Sequence, residues 1–399
     1  MAKNKLSYSS RQELLLTGFA VFFWLATAIS AYQTVWLQEE GFSSAQLGVI
    51  NAVASGVGIL VITLAGIISD RVGSLVKTLV VCLIIGFGAY SLIPFLPCHE
   101  MSFVVFVLVL SAMSLFRNPM TSLAENLLVR NCNELSLNYG RIRSSASLAY
   151  CLGGLAATGI IAWVGTGGTF WLGGLLGIPA ILFAFFIRDP DGIREHSKAN
   201  FRRDTAALMQ SRPYLVLIFS VFIYDMGHVC RLNFLPYYMQ GIGVDPGKYG
   251  ILLAYTAILE IPSLMVLSRV RKRFDYRQLL IVAVMLQLAE VVLMGTICSS
   301  LPGLILITTL YGLGNGLYLA AVLNYIYVLA PTSLRASAQA FYQAFASVAY
   351  IIGNLIGGVA FDQMGAKPFY LSLSILYILS VVLLACNKSQ KRPYAADQP

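Results

Sequence analysis

Twelve long apolar runs divide this chain, and few soluble architectures could bury them. They cover 13–37, 44–69, 75–97, 102–130, 141–165, 169–187, 213–240, 247–270, 277–299, 302–330, 334–361 and 366–386. Most reach or exceed the roughly 20 residues that a helix needs to cross the hydrocarbon core of a bilayer. The composition, 58% hydrophobic and 11% charged with a mean hydropathy of +0.75, excludes an ordinary soluble domain. The expected fold is therefore all-α and integral to the membrane, with twelve spanning helices. The first run is too long for a signal-peptide core and no small-residue cleavage site follows it, so it is expected to persist as a helix.

The charges set an expected orientation. Of 27 Lys and Arg, only Lys248 and Lys367 fall in loops on one side of the membrane, and Arg117 and Arg231 lie inside runs. The others fall in the termini, in loops on the opposite side, or at the helix ends beside them. They include Lys3, Lys5 and Arg11, then Arg188, Arg194, Lys198, Arg202, Arg203 and Arg212, then Arg269, Arg271, Lys272, Arg273 and Arg277. The positive-inside rule places both termini in the cytoplasm of a multi-pass protein of the cell membrane, such as a bacterial inner membrane. The net charge of +9 is thus a topology signal and gives no reason to expect nucleic acid as a partner.

The longest polar, basic stretch spans 188–212, between runs six and seven. It divides the chain into an N-terminal six-helix bundle (1–187), a cytoplasmic linker and a C-terminal six-helix bundle (213–399) that ends in a short cytoplasmic tail. The halves echo each other. Ala146-Ser147-Leu148-Ala149-Tyr150 recurs as Ala346-Ser347-Val348-Ala349-Tyr350, offset by 200 residues and in the same run of each half. Two pseudo-symmetric bundles are expected, related by an axis along the membrane normal. Chains built this way carry a small solute between their halves. Gly153, Gly154 and Ala157, with Gly353 and Gly357, supply the small surfaces that close helix crossings need.

Six charged residues and a histidine sit inside the runs: Arg117, Glu125, Asp225, Arg231, Glu260, Glu290 and His228. Each charge at the bilayer centre costs about 2.5–3.5 kcal/mol, so six unpaired ones would cost about 15–20 kcal/mol. They must face a wet cavity, pair with each other, or carry out a function. Asp225, His228 and Arg231 recur every three residues and share a limited arc of one helix, which suits either a cavity wall or a self-neutralising Asp–Arg arrangement. Arg117 precedes Pro119, whose freed carbonyls it could satisfy, or it could pair with Glu260 or Glu290 across the halves. Glu260, Glu290 and Asp225 are the candidate proton carriers, since a carboxyl taken out of water can load and release a proton near neutral pH. A satisfied buried acid is the alternative for each.

Gly66-Ile-Ile-Ser-Asp70-Arg71-Val-Gly73 lies between runs two and three. It resembles the cytoplasmic loop signature of the major facilitator superfamily, although Ser74 and Leu75 stand where a basic pair is usual. The resemblance implies a gating latch, with Asp70 bonding a neighbouring helix end and Arg71, and with Gly66 and Gly73 allowing a tight turn. A degraded copy, Ser268 to Asp275, occupies the equivalent loop of the second half. Glu125 lies fifteen residues before Gly140-Arg141-Ile142-Arg143. That order resembles the lactose, nucleoside and phenylpropionate permeases. By that likeness Glu125 and Arg143 would hold solute hydroxyls, Tyr150 would stack on the solute, and Glu260 would be the facing acid of the second half. Arg117, His228 and Arg231 complete the candidate binding set.

This sequence also departs from the lactose permease pattern. Run ten reads Tyr311-Gly-Leu-Gly-Asn315 and has no acid or histidine for proton handling, and Glu290 lies where relatives often carry Arg. The expected function is proton-coupled symport of a small polar solute, such as a sugar or oligosaccharide, by a functional monomer embedded in lipid. Nucleoside or aromatic-acid symport, proton-antiporting export, and a non-transporting membrane receptor are the other readings. Run five lacks the Gly/Pro motif usual in exporters. No catalytic constellation, cofactor motif or phosphate loop is present, so no enzyme is expected. The cysteines (82, 98, 132, 151, 230, 298 and 386) are scattered and read as small apolar fillers, with no metal site or disulfide frame. His99 and His196 fall in loops without evident partners. Ser10 to Glu13 and Ser43 to Gln46 have capping-box spacing and predict helix starts.

Overall fold

The computed structural model describes residues 2–190, 210–270, 273–330 and 334–387, all in helices, turns and short connections. Fourteen α-helices account for the twelve expected runs, because two of the runs break in the middle. The first half contains α1 (Ala2–Ile29), α2 (Gln33–Glu39), α3 (Ser44–Val72), α4 (Leu75–Ser91), α5 (Phe103–Glu134), α6 (Tyr139–Val164) and α7 (Gly167–Phe186). The second contains α8 (Arg212–Asn233), α9 (Leu235–Gly241), α10 (Tyr249–Val270), α11 (Tyr276–Thr296), α12 (Leu301–Leu329), α13 (Arg335–Met364) and α14 (Ala366–Cys386). Eleven spans among the described residues are long and apolar enough to cross a membrane. The helix of run eight, α10, lies within the bundle against α12 and α6. Linker residues 191–209, which include His196, lie outside the described residues.

Local chemistry sets several helix ends. Ser43 caps α3 with a complete capping box to Gln46, and Asp275 does the same for α11 with Gln278. Ser74 accepts from the Lys77 amide to start α4, and Asp189 accepts from the amides of Leu75 and Val76 at 2.9 and 3.2 Å. Gly73 ends α3 in a left-handed conformation (φ 68°), which favours glycine. The start expected at Ser10 is absent. Helix α1 runs through it from Ala2, and Glu13 instead pairs with Arg141 at 3.7 Å.

The halves repeat one packing pattern. In the first, the α1–α2 pair packs on α6 and α7, α3 on α5, and α4 on α5 and α7. In the second, α8 packs on α13 and α14, α10 on α12, and α11 on α12 and α14. The same glycine makes the same crossing twice. A Cβ on Gly153 would meet Ala28 Cβ at 2.8 Å and the Leu25 carbonyl at 3.0 Å on α1. A Cβ on Gly353 would meet Val229 Cγ1 at 2.6 Å and the Met226 carbonyl at 2.9 Å on α8. Large apolar side chains such as Leu60, Leu108, Leu148, Leu175, Leu306 and Ile375 point outward from the bundle, where lipid replaces water.

The halves meet along α3–α13 and α6–α10. At the first crossing, a Cβ on Gly48 would lie 2.3 Å from the Asn354 carbonyl and one on Gly358 would lie 2.5 Å from that of Ser44. Asp362, at the end of α13, accepts the amides of Ser44 and Ala45 at 3.1 and 3.0 Å, and the Ser44 hydroxyl as well. Nearby, Tyr237 donates to the Phe42 carbonyl at 2.7 Å and Gln38 donates to Gln240. These bonds cluster at the end that the charge pattern places outside.

Candidate functional site

A cavity of about 590 Å³ lies between the halves. Helices α1 and α6 line one side with Trp24, Thr27, Arg143, Ser147 and Tyr150, and α8–α10 and α12 line the other with Arg231, Tyr249, Thr256, Glu260 and Tyr311. The fold thus brings four of the expected site residues onto one wall system: Arg143, Tyr150, Arg231 and Glu260. Each charged member is held by a partner.

Arg143 bonds Glu125 through Nε to Oε1 at 2.9 Å, and its guanidinium lies 4.6 Å from the Trp24 ring centre. The Tyr139 hydroxyl donates to the other Glu125 oxygen at 2.9 Å, so Glu125 is braced from the first turn of α6. Glu125 is not among the wall residues and touches Arg143, which is. Tyr150 stands edge-on to Trp24, with ring centroids 6.3 Å apart.

Arg231 and Glu290 form a forked ion pair, at 2.6 and 3.1 Å to Oε1 and 3.3 Å to Oε2. Their side chains are 2% and 0% exposed. Tyr311 lies over the guanidinium at 3.7 Å, a cation–π contact in a dry setting. Neither charge can be removed alone without stranding the other in the core. Glu260 is different. It reaches the cavity from α10, and its one bond among the described residues is from the Asn315 amide at 2.7 Å.

Several expectations change with the packing. Arg117 pairs with neither Glu260 nor Glu290, because Asn315 and Arg231 already hold those acids. It donates to Ser30 Oγ at 2.7 Å and lies 3.9 Å over the Tyr90 ring, away from the carbonyls freed by Pro119. Asp225 and Arg231 do not neutralise each other, since Arg231 turns to α11. Asp225 is buried, and its Oδ2 has no hydrogen-bond partner among the described residues. His228 bonds the Tyr224 hydroxyl at 3.2 Å and is sandwiched by the rings of Tyr224 and Tyr311. Asp225, His228 and Arg231 therefore share an arc, yet only Arg231 reaches the cavity. Asp70 and Arg71 are exposed and make no side-chain bond among the described residues. Gly66 sits in open space, whereas Gly73 is used in its turn.

His99 is not without a partner: its Nε2 lies 3.1 Å from Glu40. Sequence reasoning also missed Trp24, Thr27, Tyr249 and Thr256, which are ordinary members of apolar runs and carry no local signal. Asp362 was legible only as an acid at the end of run eleven.

A cavity between two halves of like packing, walled by braced charges and aromatic rings, defines a multi-pass membrane transporter of the major facilitator type. The chain belongs to the MFS_1 like family, whose pattern it matches over residues 14–372. It is 25% identical over 412 residues to the maltose permease of Geobacillus stearothermophilus, covering 98% of each chain. It is 25% identical over 404 residues to the uncharacterized transporter YwbF of Bacillus subtilis strain 168, covering 98% of this chain and 97% of that one. Among solved structures, the nucleoside transporter NupG superposes with a TM-score of 0.77 at 13% identity, over 94% of this chain and 98% of that chain.

Proposed function

We propose that this protein is a proton-coupled symporter that imports a small, neutral, hydroxyl-rich solute, a sugar or oligosaccharide, by alternating access. The observation that carries the reading is the charge balance of the cavity. The charge of Arg143 is balanced by Glu125 and that of Arg231 by Glu290, so neither guanidinium offers an uncompensated charge to an anion. Arg117 lies off the wall. What remains for a solute is Glu260, a partly satisfied Arg143, hydroxyls at Thr27, Ser147 and Thr256, and the faces of Trp24, Tyr150, Tyr249 and Tyr311. Hydroxyls meeting carboxylate and guanidinium, with aromatic faces for the apolar side of a ring, suit a sugar better than an aromatic acid. A maltose permease among the relatives supports this choice.

Glu260 is the coupling acid in this reading. Its carboxyl faces the solute, and protonation changes whether it accepts or donates a hydrogen bond there. Glu290 is committed to Arg231, and Asp225 is buried off the cavity wall. One charge crossing about 100 mV supplies roughly 2.3 kcal/mol, enough for about 50-fold accumulation. The test is purified protein in proteoliposomes with an inward proton gradient. Addition of maltose or a related sugar should acidify the lumen and be followed by accumulation, and both should vanish with an uncoupler. Uptake indifferent to the gradient would remove the coupling.

A nucleoside is the second reading, favoured by the ring-lined wall and by the fold shared with NupG. Competition by uridine and by maltose in the same assay separates the two.

A further inference from the structure

At the outer end, the loop between α4 and α5 folds over the turn between α2 and α3. The Pro97 carbonyl accepts the amides of Glu100 and Met101 at 3.0 and 3.1 Å, a tight turn that fixes Cys98 and His99 as neighbours. Glu40 caps α2 and reaches both of them. Its Oε2 lies 3.1 Å from His99 Nε2 and 3.6 Å from Cys98 Sγ, and the three donor atoms all lie within 4.8 Å of one another.

The Glu40–His99 and Glu40–Cys98 spacings lie within about 0.3 Å of the edges of a metal tetrahedron. Zinc bonds of about 2.3 Å to sulfur and 2.0–2.1 Å to nitrogen or oxygen give ligand-to-ligand edges of about 3.4 Å for an N/O pair and about 3.6 Å for an S/O pair. One nitrogen, one oxygen and one sulfur form a donor set for a borderline cation, whereas calcium and magnesium take oxygen alone. The His99 side chain is 72% exposed and that of Glu40 is 32% exposed, so an ion can enter and keep a water as its fourth ligand. Cys82, Cys132, Cys151, Cys230 and Cys298 are buried and Cys386 ends α14 at the opposite face, so Cys98 is the thiol within reach from outside.

We propose that Glu40, Cys98 and His99 form a three-ligand Zn²⁺ site on the outer face. The site also sits where it can regulate the carrier, a clause that rests on the transport reading above. Glu40 leads directly into Phe42 and Ser44, the residues bonded across the halves by Tyr237 and Asp362. The Phe42 ring stacks on Phe106 of α5 at 4.9 Å. A cation that ties Glu40 to the loop entering α5 stiffens the first half's edge of this seam and slows its parting.

Purified full-length protein in detergent, kept reduced, is titrated with Co²⁺ as a spectroscopic probe. A thiolate-to-cobalt charge-transfer band should appear with tetrahedral d–d absorption, saturate at one ion per chain, and disappear on adding Zn²⁺. Cys98→Ser should abolish the band. His99→Ala and Glu40→Gln should each weaken Zn²⁺ binding at least about tenfold, since each removes a direct ligand and loss of even an outer-shell partner costs about 10- to 100-fold. Absence of the band in the parent overturns the site, and so does its survival in Cys98→Ser. In proteoliposomes, external Zn²⁺ should slow uptake by the parent and leave Cys98→Ser unaffected. Binding without slowing overturns the regulatory clause alone. Failure of all solute uptake counts against the transport reading and leaves the cobalt result standing, since that spectrum needs no solute.

Discussion

At the scale of single residues, the charges inside the membrane sort by what holds them. Glu260 is held by one amide and faces the cavity, so Glu260→Gln should abolish uphill uptake while solute binding persists. Paired measurements of gradient-driven accumulation and of binding by calorimetry check this. Glu125→Ala should do the reverse and weaken binding, because Arg143 loses the carboxylate that aims it. If Glu260→Gln accumulates solute as the parent does, the coupling role passes to Asp225. Glu290 follows a different logic. Glu290→Gln leaves Arg231 buried without a counter-charge, which should destabilise the second half by about 3–5 kcal/mol. The double variant Arg231→Met, Glu290→Met should recover most of that loss, since well-packed apolar residues often replace a buried pair without penalty. Thermal unfolding in detergent, with both variants alongside the parent, reads the difference.

At the scale of elements, the seam between α3 and α13 is closed by glycines and locked by a cap. Asp362 on one half supplies the carboxylate for the first amides of a helix on the other, a charge placed at a positive helix end. Loss of a cap weakens a helix start by about 0.5–2 kcal/mol, which corresponds to a population shift of about 2- to 30-fold. Asp362→Ala should therefore raise the share of molecules open to the outside. A cysteine at Thr256 on the cavity wall, in a Cys98→Ser background, should then react faster with a membrane-impermeant thiol reagent added outside. An unchanged rate would mean that the glycine contacts at Gly48 and Gly358 hold the seam without the cap. At the far ends of the helices, Asp70 and Arg71 are exposed and make no side-chain bond among the described residues.

At the scale of the whole molecule, one packing pattern occurs twice, and the functional groups do not follow it. Gly153 and Gly353 make equivalent crossings, yet Arg143 in the first half stands where Gln343 stands in the second. The scaffold repeats and the cavity lining does not. We propose from the distribution of basic residues that both termini lie in the cytoplasm. A green fluorescent protein fused after residue 387 should fluoresce, and alkaline phosphatase at the same point should be inactive. The opposite result would invert the orientation and move the outer seam and its Glu40–Cys98–His99 cluster to the cytoplasmic face.

Much of this architecture was legible before any coordinates. Bilayer thickness sets helix length, so the runs read directly as helices, and the recurrence of Ala146–Tyr150 at Ala346–Tyr350 marked the duplication. The four-residue neighbourhoods of Ser43 and Gly73 also announced their caps, because caps are local chemistry. What the sequence could not decide was which charges would meet. Arg231 lies three residues from His228 and six from Asp225, but its partner is Glu290, on another helix and visible only once α8 and α11 are packed together. Glu40 is likewise far from Cys98 and His99 along the chain and reaches them only because the α4–α5 loop folds back. Spacing along one helix fixes a face but not a rotamer or a neighbour. Pairing, exposure and the cavity wall depend on distances between elements, and those distances exist only in the tertiary structure.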